Sequence, residues 1–106
     1  MSRLEIIHLR SWGMPFETLS DLIRRSIHKT PLKQSSVILY RRNDLETDLA
    51  IHILQVEPRE EYGPSVLGLR LASALGALGL VEHTVWEEAP SEDATNCVNP
   101  SIGSAT

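Results

Sequence analysis

This chain has a single cysteine, carries no net positive charge and contains no long apolar segment. The single cysteine cannot form an internal disulfide, so we expect a reducing, cytoplasmic setting. The 10 Lys and Arg residues are outnumbered by 14 Asp and Glu, and the formal net charge of −4 argues against nucleic acid or an anionic membrane as a partner. The longest apolar stretch, 66–81, contains Arg70 and three glycines and is too short to span a bilayer comfortably.

The composition predicts one small folded domain followed by a tail. Hydrophobic residues make up 42% of the 106 residues, which is ordinary for a globular protein. Periodic apolar patterns end near Glu88, and the remainder is rich in Pro, Ser, Asp, Thr and Asn. We therefore predict a single domain over residues 1–88 and a flexible polar tail over residues 89–106.

Six segments predict the order β-α-β-β-α-β. β-Branched and apolar runs indicate strands at 4–9, 36–42, 49–56 and 81–88. Helical spacing of apolar residues indicates two helices, which begin at Pro15 and Pro64. This order is typical of the ferredoxin-like α+β fold, a four-stranded antiparallel sheet of spatial order 4-1-3-2 with both helices on one face.

The second predicted helix is apolar around most of its circumference. Only Arg70 and Ser73 mark a polar side, and Gly79 is predicted to be its left-handed cap, with Leu80 folded back on Leu75. A helix of this kind must be buried on more than one side, which favours self-association. The residues that we predict to lie in the core or at a dimer contact are Leu67, Leu71, Leu75 and Leu78.

The strands also carry apolar residues on both faces. In the first strand Leu4 and Ile6 point one way and Ile7 and Leu9 the other, because side chains alternate along a strand. Two helices can cover only one face of a sheet. The second face therefore predicts a partner, most economically a second copy of the same chain.

On this element order and these two-sided strands, residues 3–88 resemble the dimeric α+β barrel superfamily, which includes antibiotic-biosynthesis-monooxygenase-like proteins. The resemblance implies ferredoxin-like subunits that pack sheet against sheet, sometimes with a ligand pocket, and it allows cofactor-independent oxygenase chemistry. No catalytic motif of that family can be transferred to residues of this chain. An amino-acid-binding regulatory domain of the ACT type is an alternative, since Gly13 and Pro15 lie in the first strand–helix loop. An RNA-recognition motif is not indicated, because the third strand lacks stacking aromatics.

Three strands each carry one histidine, and these are the candidate binding residues. His8, His52 and His83 fall on strands that are neighbours in the predicted sheet. They would line a pocket, or bind a metal through neutral imidazole nitrogens, if they shared a face, whereas a one-residue change of register sends a side chain to the opposite face. The plainer interpretation is hydrogen-bonded or partly exposed sheet residues. Tyr40 and Trp86 are suited to a pocket wall, but packing in a core or dimer interface is the favoured interpretation, because apolar burial alone explains aromatic residues in strands.

No pattern indicates a resident metal or cofactor, a nucleophile elbow or a phosphate-binding loop. Two functions remain open. The first is a small homodimeric protein with a hydrophobic pocket between the sheet and the helices, which binds, and in a monooxygenase-like way oxidises, a small hydrophobic organic molecule. The second is a non-catalytic assembly or ligand-sensing regulatory module. Nothing in the sequence decides between an enzyme and a binding protein.

Overall fold

The computed structural model describes residues 2–30, 35–56 and 63–89. The elements are β1 (Arg3–Ser11), α1 (Phe16–His28), β2 (Ser35–Arg41), β3 (Asp48–Gln55), α2 (Val66–Leu75) and β4 (Gly79–Glu87). Their order is the predicted one. The predicted tail lies outside the described residues from position 90 onward.

The four strands form one antiparallel sheet of order β2-β3-β1-β4. This is the predicted spatial order, and it confirms the ferredoxin-like α+β fold. The two central strands, β1 and β3, are each hydrogen-bonded to two neighbours, while β2 and β4 are the edge strands. His8 at the centre of β1 lies opposite Ala50 in β3 and Glu82 in β4.

One face of the sheet, here called the helix face, packs against both helices. Alternate residues of the two central strands point into this core, as their period of two requires. Apolar side chains of α1 and α2 complete it because the apolar residues of each helix recur at helical spacing. The buried apolar residues are Ile7, Leu9, Leu19, Ile23, Leu49, Ile51, Ile53, Leu67, Leu71 and Leu75.

The other face, here called the open face, is covered by none of the described elements. Several of its apolar members are substantially exposed, for example Ile38 at 50% and Trp86 at 59%. Its residues alternate with those of the helix face, so the strands are two-sided in the structure as they are in the sequence. The open face consists of Leu4, Ile6, His8, Arg10, Ser36, Ile38, Tyr40, Asp48, Ala50, His52, Leu54, Leu80, Glu82, Thr84 and Trp86.

The start of α2 differs from the prediction by two residues. Ser65 is the N-cap, and its hydroxyl accepts a hydrogen bond from the backbone N–H of Gly68 at 3.0 Å. Pro64 therefore precedes the helix instead of opening it. The serine hydroxyl accepts a hydrogen bond from a backbone N–H of the first turn, and a proline side chain has no atom that can do this. Ser65 therefore determines where the helix begins.

The predicted end of α2 was wrong. The helix ends at Leu75, and Gly79 opens β4, where it pairs with Ser11 of β1. A Cβ at position 79 would overlap the backbone carbonyl oxygen of Arg10, so this glycine permits close approach of two strands. Leu80 is consequently an exposed strand residue and does not pack against Leu75.

Neither helix in the described part of the chain has the length and apolar content needed to cross a membrane.

Candidate functional site

A histidine–aspartate pair lies at one end of the open face. The register of β1 and β3 places Asp48 opposite Arg10, the next open-face residue after His8. The Nε2 atom of His8 lies 3.0 Å from Oδ2 of Asp48. Because an ionised carboxylate only accepts hydrogen bonds, His8 donates through Nε2–H, and Nδ1 is left as the basic atom of the ring. The pair has the arrangement of an oriented general base.

The carboxylate of Asp48 is 1% exposed and is surrounded by donors. Arg42 donates from Nη1 to Oδ2 at 3.2 Å, and Arg10 donates from Nε to Oδ1 at 3.4 Å. The hydroxyl of Thr47 donates to Oδ1 at 3.2 Å. Each carboxylate oxygen therefore has protein partners, which is what a buried charge requires.

The environment holds Asp48 in its ionised form. Burial by itself raises the pKa of this carboxyl, since it disfavours the charged state. Hydrogen bonds from His8 and Arg42 act in the opposite direction, and the charge of Arg10 and the Thr47 hydroxyl add to them. The net result is a pKa below the ordinary value of 3.8. Asp48 is thus a permanent counter-charge for the imidazole at neutral pH.

Arg42 links the pair to the β2–β3 loop. Its Nε donates to Oδ1 of Asp44 at 2.9 Å, and this hydrogen bond, with the charge of Asp44, is the main reason that the pKa of Arg42 is raised. The guanidinium of Arg42 is therefore anchored by two carboxylates, Asp44 and Asp48. The neighbouring Arg41 points to the other side of the sheet, where its guanidinium carbon lies 5.1 Å from the centroid of the Phe16 ring.

The pair opens into a concavity of about 370 Å³ on the open face. Ala50 lies between Tyr40 and His8 in one row across the sheet, so a methyl group stands between two larger rings and leaves a depression. Ile6 adds an apolar wall, and the rim is polar. The lining residues are Ile6, His8, Tyr40, Arg42, Asp48, Leu49, Ala50 and Glu82. An apolar depression with a few convergent polar groups is the usual character of a small-molecule site.

Two of the three predicted histidines share this face. His52 lies on the open face beside Tyr40, and the centroids of the two rings are 4.6 Å apart at an interplanar angle of 56°. Tyr40 and His8 line the concavity, whereas His52 contacts Tyr40 and is not one of the lining residues. Trp86 stands at the opposite end of the same face, and its indole N–H donates to the Thr84 hydroxyl at 2.9 Å.

The third histidine, His83, points to the helix face. Its Nε2 lies 2.8 Å from Oε2 of Glu5, whose side chain is 1% exposed. The carboxylate of Glu5 fits against α2 only because residue 68 is glycine: a Cβ there would overlap Oε2 and approach Cδ to 2.8 Å. His83 therefore belongs to a buried pair between the sheet and α2, separated from His8 by the sheet itself.

The four leucines assigned to the second helix take up two kinds of position. Leu67, Leu71 and Leu75 are buried in the core of the subunit. Leu78 follows the helix in the turn before β4 and packs against that core. The exposed apolar residues of α2 are Val66 and Leu69, on its outer side.

The space between the sheet and the helices is occupied by these core side chains. A second concavity of about 400 Å³ lies at its margin, between α1 and β2, and is lined in part by Glu17, Asp21, Arg24 and Arg41. No group of three or more histidine, cysteine or carboxylate side chains that could hold a metal ion occurs among residues 2–30, 35–56 and 63–89.

Sequence reasoning did not single out Asp48, the central residue of the site. The third predicted strand begins at position 49, so the sequence pattern leaves this aspartate in the preceding loop. Asp48 is the first residue of β3, and its position next to an apolar run was the available signal. Only the β1–β3 register brings it to His8.

Comparison with known proteins supports the fold. No protein-family model matches this sequence, and no curated protein sequence matches it. Among solved structures, a mutant of SnoaB, a cofactor-independent oxygenase from Streptomyces nogalater, superimposes with a TM-score of 0.56 at 17% identity. A second structure of SnoaB gives a TM-score of 0.53 at 15% identity, and both alignments cover 86% of this chain and 96% of the other.

The chain has the fold of this oxygenase. The predicted resemblance to antibiotic-biosynthesis-monooxygenase-like, dimeric α+β barrel proteins is confirmed at the level of the fold. An identity this low carries architecture and not chemistry, so the residues of the open face have to support any function themselves.

Proposed function

We propose that this chain is a cytoplasmic homodimer that binds a small, hydroxylated aromatic molecule on the open face and promotes its cofactor-independent oxygenation. The observation that carries the proposal is the His8–Asp48 pair, which opens into a largely apolar concavity. The single cysteine of the chain suits a reducing compartment.

The second copy is proposed because the open face is too apolar to remain in water. Exposed side chains of Ile38, Leu54, Leu80 and Trp86 stand on one continuous surface. Surfaces of this kind mark protein contacts in soluble proteins. Sheet-to-sheet packing would bury them and would also close the concavity against bulk water, which strengthens every polar interaction within it.

His8 would act as the base. A ligand hydroxyl transfers its proton to Nδ1 of His8, and the resulting imidazolium is stabilised by the Asp48 carboxylate at Nε2. Apolar contacts with Ile6, Tyr40 and Ala50 would hold the aromatic ring.

The ligand anion would then donate electrons to dissolved O₂, which is the oxidant. The ligand is the only reductant: it loses the hydroxyl hydrogen and one ring hydrogen, a C–H carbon of the hydroxylated ring becomes a carbonyl with one atom of O₂, and the second oxygen atom leaves as water, so the product is a quinone. Proton removal is the one step that the chain's own residues have to supply. Cofactor-independent oxygenation, the activity of the structural neighbour SnoaB, is compatible with this scheme.

The test uses 1-naphthol as a probe, because its absorbance distinguishes the neutral phenol from the anion. We expect the wild-type protein to bind the probe and to increase its anionic fraction. His8→Gln should bind with a smaller anionic fraction, since it keeps much of the side-chain size but removes the base. His52→Gln is the matched control, because His52 shares the face but has no carboxylate partner among the described side chains.

Oxygen uptake, measured with the probe and with larger hydroxylated polycyclic aromatics, separates the two functions left open by the sequence. Uptake that is lost in His8→Gln supports the oxygenase. Binding without deprotonation or uptake supports the ligand-sensing module instead. Absence of binding to the whole panel overturns the small-molecule proposal.

A further inference from the structure

The second concavity, between α1 and β2, is a groove of about 400 Å³ on the helix side of the sheet. Leu39 and Arg41 form its β2 wall, because alternate residues of this strand point toward the helices. Spacings of three or four residues place one stripe of α1 along the opposite wall. That stripe consists of Glu17, Ser20, Asp21 and Arg24. We refer to this concavity as the α1–β2 groove.

Ser20 is a buried serine whose hydroxyl is unbonded. The residue is 6% exposed, and its hydroxyl has no hydrogen-bond partner in the described part of the chain. The hydroxyls of Ser26 and Thr30 do have partners, since each donates to the carbonyl oxygen four residues earlier, at 3.3 and 3.2 Å. A polar group with so little access to water is costly unless it is bonded. Ser20 lines the α1–β2 groove and provides it with a donor and an acceptor.

The guanidinium of Arg41 is held in place by an aromatic ring. Its central carbon lies over the Phe16 ring, 5.1 Å from the centroid, and Phe16 lines the same groove. The N–H donors of a guanidinium lie in its own plane, so a ring against its face leaves them available to a carboxylate. No carboxylate of the described residues pairs with Arg41. The β2 wall therefore carries a positioned cation whose donors are not used by those residues.

The α1 wall carries the opposite charge. Asp21 and Arg24 pair with each other at 3.4 Å and neutralise one another. Glu17 has no such partner in the described part of the chain. Its carboxylate is favoured on this wall because it lies in the first turn of α1, where the helix dipole favours negative charge. Among the described residues, an anion and a cation without partners therefore line opposite walls of one groove.

We propose that the α1–β2 groove binds a free α-amino acid with an apolar side chain. A ligand with one positive and one negative group provides partners for both charges, whereas a singly charged ligand leaves one of them without a partner. The ligand carboxylate accepts hydrogen bonds from Arg41, its ammonium donates to Glu17, and the Ser20 hydroxyl bonds to either group. Leu39 and Phe16 provide apolar contacts for the side chain.

This proposal is independent of the proposed function. The α1–β2 groove and the concavity beside His8 lie on opposite sides of the sheet, and no described residue lines both. A homodimer formed through the open face would leave the groove accessible. The groove therefore adds a second site, for a ligand of a different chemical class.

A panel of three ligands tests both charges. L-Leucine is the probe, 3-methylbutylamine is the same molecule without its carboxylate, and 4-methylpentanoate is the same molecule without its amine. Ligand-observed NMR titrations of the full chain detect affinities in the millimolar range. Leucine should bind about tenfold more tightly than either analogue, because a hydrogen bond between charged groups contributes roughly this factor. Equal binding of leucine and either analogue, or no binding of leucine, would overturn the proposal.

Two variants assign the charges to residues. In Arg41→Gln, leucine should bind no better than 3-methylbutylamine but still better than 4-methylpentanoate. In Glu17→Gln, leucine should bind no better than 4-methylpentanoate but still better than 3-methylbutylamine. A uniform weakening of all three ligands in both variants would indicate a structural role and would overturn the assignment.

Arg25→Gln is the matched control, because Arg25 is an exposed residue of the same helix that does not line the groove. It should leave the affinity for leucine unchanged. Ser20→Ala should weaken leucine about fivefold, since it removes one neutral hydrogen bond. An unchanged affinity in Ser20→Ala would remove the buried hydroxyl from the site. Tighter binding of 6-aminohexanoate, whose charges lie at opposite ends of the molecule, would overturn the assignment to α-amino acids.

Discussion

The imidazole Nε2 of His8 lies 3.0 Å from a carboxylate oxygen of Asp48, although 40 positions separate the two residues in the chain. The contact exists because β1 and β3 are adjacent and antiparallel, with Asp48 opposite Arg10. It couples the basic residue of the concavity to a buried anion that two arginines hold in place. The stability of the subunit therefore depends on the charge of this aspartate.

We expect acid to destabilise the protein in part through Asp48. The pKa of this group is lowered in the folded state, so its contribution to stability is complete above the ordinary value of 3.8. It is lost as the pH falls from that value through the lowered folded one, because protonation removes the partner of His8 and Arg42. Denaturant midpoints measured against pH should show this loss. The midpoint of Asp48→Asn should be lower than that of the wild-type protein at neutral pH and should decrease less as the pH falls.

Asp21→Asn is the control for this prediction. Asp21 pairs with Arg24 at 3.4 Å, but both side chains are well exposed, so the pair adds little to stability. The denaturant midpoint of Asp21→Asn should decrease with falling pH in the same way as that of the wild-type protein. Equal slopes for wild type and Asp48→Asn would contradict the role assigned to Asp48.

A charge on the open face should abolish dimer formation. Ile38→Asp places a carboxylate on a side chain that is 50% exposed in the single subunit and buried in the proposed dimer. Leu69→Asp is the matched control on the outer side of α2, where the leucine is 54% exposed. Light scattering should show a monomer for the first variant and a dimer for the second. The reverse result would place the contact on α2, as the apolar sequence of that helix suggested.

Gly68→Ala should destabilise the subunit by about 1–3 kcal/mol, the usual cost of overpacking. The added methyl group would overlap the Glu5 carboxylate, which is buried and bonded to His83, and this cost exceeds the gain in helix propensity. Gly76→Ala is the control, because the nearest atoms to its Cβ are 3.4 and 3.5 Å away. Urea denaturation measures both.

A double-mutant cycle identifies the cause. In a Glu5→Ala background the effect of Gly68→Ala should shrink, since the methyl group would then occupy the vacated space. An unchanged effect would show that the clash with Glu5 is not responsible.

Leu71→Ala should cost about 2–5 kcal/mol of unfolding free energy, because this side chain is fully buried among both helices and the sheet. Val66→Ala, on the exposed side of the same helix, should stay within about 0.5 kcal/mol. Thermal or urea unfolding distinguishes them. A comparable loss in both variants at dimer-forming concentrations would indicate that α2 is buried on its outer side too.

Much of the architecture could be read from apolar periodicity. The order of the elements and the two-sided character of β1 and β3 follow from alternation over short runs, which is a local property. The sheet order follows only from the fold that this order of elements typifies. The boundaries of α2 could not be read in this way. The apolar residues continue past Leu75, so the sequence pattern does not show where the helix ends. The pairing of Gly79 with Ser11 shows that the chain has already entered β4 there.

The candidate site was predictable only in part. His8 and Tyr40 were chosen for their chemistry and line the concavity, while His83 was chosen on the same grounds and lies on the opposite face. Nothing in a strand's own sequence states which parity faces the helices when both faces are apolar. The helices decide it by covering one set of residues and leaving the other exposed.

The amino-acid sequence alone determined that four strands and two helices form, because local patterns of apolar residues and helix-start signals specify each element. It also determined that more apolar surface exists than two helices can cover. The tertiary structure decided which histidines meet, which carboxylates they meet and where the depression forms. Those relationships depend on strand register, and register is a property of pairs of strands that are distant in the chain.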